Sequence, residues 1–365
     1  MTVQIKGVWQ MDGENALKRL REIITQAMEQ GASDVHLASG QKVYRRVDGR
    51  LLPTEEEADD AWLAALCGEL FTDAQMERFG QTGEEETGYT LTECCRMRVN
   101  LYRQQGGYAL ALRLLPLAPP APKELGIPDA AAWLAREKSG LILVTGAAGS
   151  GVTTTLAALV GALAANETRT ILTIEKPIEY MYEQCNSLVL QREIGKDSVS
   201  YESALLAAGK QDADVILMSE LCDAASVSLA ISAAESGCLV FAACREPGID
   251  AALERVIRTG GESEKTAQRL AGVLKGALAQ KLLPAEGGGR VAAFELLLAG
   301  PASRNMIAQG RISQLAGLAQ SESRDGIELL DDAIYNLYMR SRISSETAVL
   351  YANDAQDMQR KVQLF

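Results

Sequence analysis

The chain has 365 residues, enough for about two domains at roughly 150 residues each, and its 47% hydrophobic content excludes a disordered chain. A net charge of −12 argues against a nonspecific nucleic-acid binder, which carries a basic face, so no nucleic-acid partner is expected. The N-terminus lacks the basic-then-apolar layout of a signal peptide, and no uninterrupted apolar run reaches the ~18–20 residues that span a bilayer. Even the uncharged stretch from Ser139 to Asn166 is broken by a Gly/Ser/Thr-rich loop, so a cytoplasmic protein is expected. The seven cysteines (Cys67, Cys94, Cys95, Cys185, Cys222, Cys238 and Cys244) show no paired C-x-x-C spacing. They read as small buried thiols in a reducing compartment, not as a zinc ribbon or a disulfide framework.

In chain order, apolar Ala16, Leu17, Leu20, Ile23, Ile24 and Ala27 recur at helical spacing and predict an amphipathic helix. Strand-like runs follow at 43–47, 96–101 and 108–114, which makes 1–115 a small α+β domain. Four prolines between Pro116 and Pro122 predict an extended linker over 116–128. Beyond it the pattern changes to short, near-continuous apolar runs alternating with helices. Leu141–Val144, Thr170–Glu175, Asp214–Met218 and Cys238–Ala242 read as strands of a parallel sheet covered on both faces, within a domain over 129–300. Such sheets bind ligands at the carboxyl ends of their strands, where Glu175, Glu179, Glu220 and Asp223 fall. The tail over 301–365 reads as helical, with Ile334, Leu337, Ile343, Ala348 and Met358 as packing positions.

The strand at Leu141–Val144 runs into Gly146-Ala147-Ala148-Gly149-Ser150-Gly151-Val152-Thr153 and then an apolar helix. This is the phosphate-loop pattern G-x-x-x-x-G-K-[ST] in its strand–loop–helix setting. Gly146, Gly149, Ser150, Gly151, Thr153 and Thr154 are therefore candidate nucleotide-binding residues, with the Thr153 hydroxyl available to magnesium. The lysine that reaches the β- and γ-phosphates is absent, and Val152 stands in its place. A charge-assisted hydrogen bond contributes roughly 1.5–3 kcal/mol, so its loss in a transition state would slow turnover about 10–100-fold.

Further motifs bear on this loop. Ala32-Ser33-Asp34-Val35-His36-Leu37, Arg98-Val99-Asn100 with Gly106-Gly107 and Arg113, Thr173-Ile174-Glu175-Lys176-Pro177-Ile178-Glu179, Gln191-Arg192-Glu193 and Gln211–Leu217 follow in order. Gln280–Pro284, Gly289–Ala293 and Arg304-Asn305-Met306-Ile307 complete the series. Together they make the chain resemble PilT-type secretion ATPases, the hexameric motors that retract type IV pili. The resemblance implies an α/β fold: a small PAS-like α+β domain, a RecA-like P-loop domain with a parallel sheet, and C-terminal helices. It also implies ATP or ADP with Mg2+ as cofactors. Glu179 would be general base, Glu220 the Walker B acid supporting magnesium and water, and Arg98 and Arg113 arginines offered in trans to a neighbour's nucleotide. Implied partners are a homo- or hetero-hexamer with a PilT-like paralogue and the pilus inner-membrane platform protein, at the inner face of the cell membrane.

The departures from the family pattern fall on its chemistry. Besides Val152, Lys176 replaces the acidic-box Asp, Cys222 replaces an Arg, and Cys238 and Arg245 replace the two histidines of the histidine box. His36 is thus the one histidine of the chain. Lys176 or Arg245 could restore a cation to the phosphates; alternatively Lys176 pairs with Glu175 or Glu179 and Arg245 faces solvent. Cys222, Cys238 and Cys244 could cluster as a redox sensor or serve as small packing residues. Two functions follow: a nucleotide-binding member with impaired hydrolysis acting in or on a pilus motor ring, or a weak but genuine ATPase powering retraction.

Overall fold

The computed structural model describes residues 13–91, 95–182, 186–321 and 327–363. Cys94 and Cys185, and the extreme N-terminus read for a signal peptide, lie outside them. The described chain falls into two units. One takes the residues up to Ala118 together with Lys176–Met181; the other takes Pro119–Glu175 and the residues from Tyr182 onward.

The first unit contains α1 (Gly13–Glu29), β1 (Ala32–Ala38), β2 (Gln41–Val47), β3 (Arg50–Ala58), α2 (Asp60–Leu70), α3 (Asp73–Thr82), β4 (Glu84–Leu91), β5 (Cys95–Gln104) and β6 (Gly107–Leu115). Ala16, Leu20, Ile23, Ile24 and Ala27 of α1 are buried, at the three- and four-residue spacing that places them on one face. Asp59 caps α2, and a Thr72–Gln75 capping box starts α3, each satisfying an otherwise orphaned helix N–H. The strands form an antiparallel sheet in the order β3-β2-β1-β6-β5-β4. Side chains alternate between its faces. Met97, Val99 and Leu101 of β5 and Leu110 and Leu112 of β6 join Leu20, Ile24, Trp62, Leu63 and Leu66 of the helices in one core. Arg98 and Arg113 project to the other face, directly opposite each other across the β5–β6 pair.

The second unit opens with α4 (Asp129–Leu134), β7 (Gly140–Thr145), α5 (Val152–Asn166), β8 (Thr170–Glu175), β9 (Leu188–Glu193), α6 (Tyr201–Ala208), β10 (Val215–Met218), α7 (Ala224–Glu235) and β11 (Leu239–Cys244). It continues with α8 (Ile249–Thr259), α9 (Ser263–Val273), β12 (Leu274–Pro284), β13 (Arg290–Leu298), α10 (Pro301–Ala308), α11 (Leu315–Ser321), β14 (Ile327–Glu328), α12 (Leu330–Met339), α13 (Ser345–Tyr351) and α14 (Ala355–Gln363). The sheet order is β14-β13-β12-β7-β11-β10-β8-β9. From β12 to β9 every pairing is parallel. Leu141 and Leu143 of β7, with Ile216, Met218, Val240 and Ala242, pack under α6–α9; Ile142 and Val144, with Val215, Leu217, Leu239 and Phe241, pack under α4 and α5. Burial on both faces is why these strands read as unbroken apolar runs.

The parallel pattern reaches the β9 edge but not the β14 edge. β13 and β14 run antiparallel to their neighbours, because β12 turns back through Gly287, Gly288 and Gly289, all at positive φ. Among the described residues the tail is mainly helical, with the two-residue β14 as its strand, and Ile334, Ile343, Ala348 and Met358 are buried in a small core shared with Leu283 of β12 and Ala293 of β13, with Leu337 packed beside them.

Candidate functional site

The phosphate loop joins β7 to α5, so it lies at the carboxyl end of a central strand. Its glycines are required by geometry. Gly149 and Gly151 hold φ of 79° and 91°, in the left-handed region that side chains disfavour. A Cβ at Gly146 would meet Ser150 Oγ at 2.2 Å and the backbone oxygen of Gln280 at 2.8 Å. The loop closes on itself through a Ser150 N–H to Ala147 O bond of 3.0 Å, and Thr155 N–H bonds Gly151 O to start α5. Ala147, Ala148 and Gly149 are exposed, Gly146 and Ser150 are buried, and Gly151, Thr153 and Thr154 are half-buried. Val152, the first residue of α5, packs its side chain against the apolar layer formed with Leu156, Leu159 and Phe241. The residue in the lysine's position therefore contributes to the core and offers no charge to the loop.

Flanking strand ends complete the surroundings. β12 sits beside β7 with Ala279 in register with Thr145, which brings Gln280 to the loop; its Nε2 donates to Ser150 O. The sequence motif marked Gln280 without a role. A lone amide following Leu278-Ala279 in a buried strand was the available signal. On the other side of β7, Thr145 Oγ1 donates to Glu246 O at 2.8 Å and accepts from Glu246 N–H at 3.1 Å. Glu246 also takes a 2.9 Å ion pair from Arg255 of α8.

Glu175, the last residue of β8, is 4% exposed and receives hydrogen bonds from Thr173 Oγ1 at 2.6 Å and Gln191 Nε2 at 3.3 Å. Glu220 follows β10 and is half-buried; its Oε2 lies 3.0 Å from Arg245 Nη2, so Arg245 is paired with the predicted Walker B acid. Tyr201 OH bonds Ser219 Oγ at 2.7 Å; burial pushes the phenol up to about 12, against the Ser219 bond and with help from the negative charge of Glu220. Asp223 is not part of this acidic edge: its Oδ1 accepts Ser226 N–H at 2.7 Å and caps α7.

Cys222, Cys238 and Cys244 do not gather into one cluster. Cys238 precedes β11, with its thiol on Ala213 O, while Cys244 ends the same strand, about 20 Å away at ~3.3 Å per residue. Cys244 is buried, which pushes its pKa up to about 12, and Cys222 is exposed beside Asp223. Cys244 fits a small packing residue, the exposed Cys222 does not fit the expected buried thiol because it lies in the loop after β10, and a three-thiol sensor does not fit this layout.

Glu179, the predicted base, lies in the Lys176–Met181 segment, which belongs to the first unit. Its Oε1 accepts from Arg98 Nη1 at 3.3 Å, and Arg98 Nε also meets Glu86. Burial would lower the Arg98 pKa, but Glu86 and Glu179 outweigh it and hold the guanidinium above its ordinary value. Arg113 is exposed, flanked in register by Arg98 and Asp34. The segment docks through Arg96, whose buried side chain donates to Ile178 O at 2.6 Å, and through Met181 N–H to Leu117 O at 2.9 Å. A Cβ at Gly88 would lie 2.6 Å from Ile178 O, so glycine permits this close passage. Lys176 is exposed and belongs to the same segment. Sequence reasoning missed Glu86 and Arg96, because only strand pairing brings them to this segment.

The residues of the loop suit the phosphates of a nucleotide. The glycines keep the cradle free of Cβ atoms, the N-terminus of the 15-residue α5 favours an anion, and Ser150 Oγ and Gln280 Oε1 are buried without a hydrogen-bond partner among the described residues. Among the described residues, no group of three or more His, Cys, Asp or Glu side chains could hold a metal by itself. The same residues include no helix long and apolar enough to cross a membrane.

Comparison with known proteins agrees with this architecture. The family model described as type II/IV secretion system protein matches residues 10–314. The chain is 39% identical over 310 residues to the Escherichia coli protein YggR, described as uncharacterized, across 84% of this chain and 94% of that one. It is 34% identical over 335 residues to the type IV pilus retraction ATPase PilT of Pseudomonas aeruginosa, across 90% and 96%. The crystal structure of the pilus retraction motor PilT with bound ADP superposes with a TM-score of 0.83 at 34% identity, covering 93% of this chain and 98% of that one. The chain belongs to the type II/IV secretion system protein family and, within it, to the PilT-type pilus retraction ATPases.

Proposed function

We propose that the protein binds ATP or ADP at the loop of Gly146 to Thr154 and hydrolyses ATP poorly, serving in or on a hexameric pilus-retraction ring. The observation that carries this reading is the loop itself. Its backbone cradle is intact, with the Ser150 hydroxyl left without a partner among the described residues, while Val152 is half-buried and packs against the edge of the core. Binding would fall to the backbone N–H groups, the α5 N-terminus, Ser150, and the hydroxyls of Thr153 and Thr154. Mg2+, when bound, would neutralise phosphate charge, with Thr153 and Glu220 as its protein-side supports. Glu220 and Glu179 keep the acidic groups the family uses, so the second reading, a weak ATPase powering retraction, has residues to act through.

Hydrolysis needs an oriented water and positive charge on the transferring phosphoryl group. Glu179 is bound to Arg98 and Glu220 to Arg245, and the loop supplies no lysine. Family membership supports, as part of this reading, the ring, its homo- or hetero-oligomeric make-up with a PilT-like paralogue, Arg98 and Arg113 acting in trans, and work beside the pilus platform protein at the cytoplasmic face of the membrane.

Calorimetry with ATP, with and without magnesium, tests binding; absence of heat at millimolar nucleotide overturns the proposal. Phosphate release by the protein beside its Glu220→Gln variant tests chemistry. Equal background rates support impaired hydrolysis, and a rate that depends on Glu220 establishes the weak ATPase instead. Sedimentation showing only monomer at high concentration, with and without nucleotide, would remove the ring.

A further inference from the structure

We infer that Arg245 is the cation of the phosphate site, parked on Glu220 until a nucleotide phosphate takes its place. The inference rests on the loop binding nucleotide, as proposed above. Cys244, the last residue of β11, is in register with Thr145, the last residue of β7. Arg245 therefore leaves its strand beside Gly146, the first residue of the cradle. The two-way bond between Thr145 Oγ1 and the Glu246 backbone, at 2.8 and 3.1 Å, pins the chain there. On the far side of β11 lies β10, whose strand end leads to Glu220. Arg245 thus stands on the strand between the phosphate loop and the predicted Walker B acid.

The side chain has the freedom this role needs. It is 62% exposed, and the contact recorded for it is a single 3.0 Å ion pair from Nη2 to Glu220 Oε2. An exposed one-point pair of this kind is weak and easily exchanged. A terminal phosphate offers more negative charge and several oxygens, which suit the two-pronged guanidinium better than one carboxylate oxygen does. The other guanidinium nearby, Arg255, is held on Glu246 at 2.9 Å. Val152 cannot contribute charge, so Arg245 restores from the adjacent strand what the loop lacks.

The test is titration of the full chain with ADP and with ATP in EDTA, by calorimetry, for the native protein and for Arg245→Ala, Arg245→Lys, Glu220→Gln and the double variant Arg245→Ala/Glu220→Gln. Arg245→Ala should weaken binding about 10–100-fold, and Arg245→Lys, which keeps the charge, should recover most of that loss. Glu220→Gln releases Arg245 and should tighten binding several-fold; in the double variant that gain should vanish. A purely structural arginine would not make the Glu220→Gln gain depend on residue 245. Thermal unfolding without nucleotide should be nearly unchanged in Arg245→Ala, since the side chain is exposed. Native-like affinity in Arg245→Ala, or a Glu220→Gln gain that persists without Arg245, overturns the inference while leaving nucleotide binding standing. A native protein that binds neither nucleotide overturns both.

Discussion

The phosphate loop of the second unit and the arginine cluster of the first are built from different materials. The loop is backbone: glycines at positive φ, a helix N-terminus and the main chain of β12 close against Gly146. The cluster is side chain: Arg98 holds Glu86 and Glu179 by ion pairs. A backbone site survives the exchange of one side chain, so Val152 can pack against the core and leave the cradle standing. A side-chain cluster has no such reserve, because removing its cation leaves two carboxylates facing each other.

The largest effect should come from closing the cradle. Gly146→Val would set a Cβ against Ser150 Oγ and the Gln280 backbone, neither of which can withdraw freely. ADP affinity by calorimetry should fall by more than about 100-fold, with about 1–3 kcal/mol lost in denaturant unfolding. Unchanged affinity would mean that the loop is not the binding element. The reverse experiment, Val152→Lys, returns a cation to the intact cradle and should tighten ATP binding by about tenfold or more. A null result there would show that the backbone no longer presents phosphates to position 152.

The cluster breaks differently. Arg98→Ala should cost about 1 kcal/mol in urea unfolding, since the side chain is more than a third exposed, and a further Glu179→Gln change should recover part of it. If Arg98→Ala has no effect on unfolding, the ion pairs contribute nothing to the first unit.

The smallest expected effect concerns a carboxylate without a guanidinium among its recorded contacts. Burial raises the Glu295 pKa, against the Ile249 N–H bond and Lys281, with Asp250 and Asp331 adding to the rise. An acid whose folded pKa is raised costs stability once the pH exceeds its unfolded value, and costs nothing when both states are protonated. Glu295→Gln should therefore raise the melting temperature near pH 7, and the advantage should disappear toward about pH 4. An equal gain at both values would assign the effect to packing.

Much of this molecule was legible before folding, for local reasons. The amphipathic α1 follows from apolar spacing, the central strands from runs buried on two faces, and the loop from glycines between a strand and a helix. What was not legible needed strand order. The antiparallel edge of β13 and β14 was hidden because an apolar strand reads alike in either direction. The place of Lys176–Met181 in the first unit depends on Gly88 and Arg96, some 80 residues earlier in the chain. Glu86 and Gln280 gave no sign of their partners.

By itself the sequence determined the glycine loop between a strand and a helix, the absence of the motif's lysine and the family, because each is written in contiguous residues. Only the tertiary structure decided which charges meet: Arg98 with Glu179, 81 positions apart, and Arg245 with Glu220, 25 apart. Charge pairing depends on strand register and on the path of the connecting chain, and those are set by burial across the whole sheet, not by neighbours along the sequence.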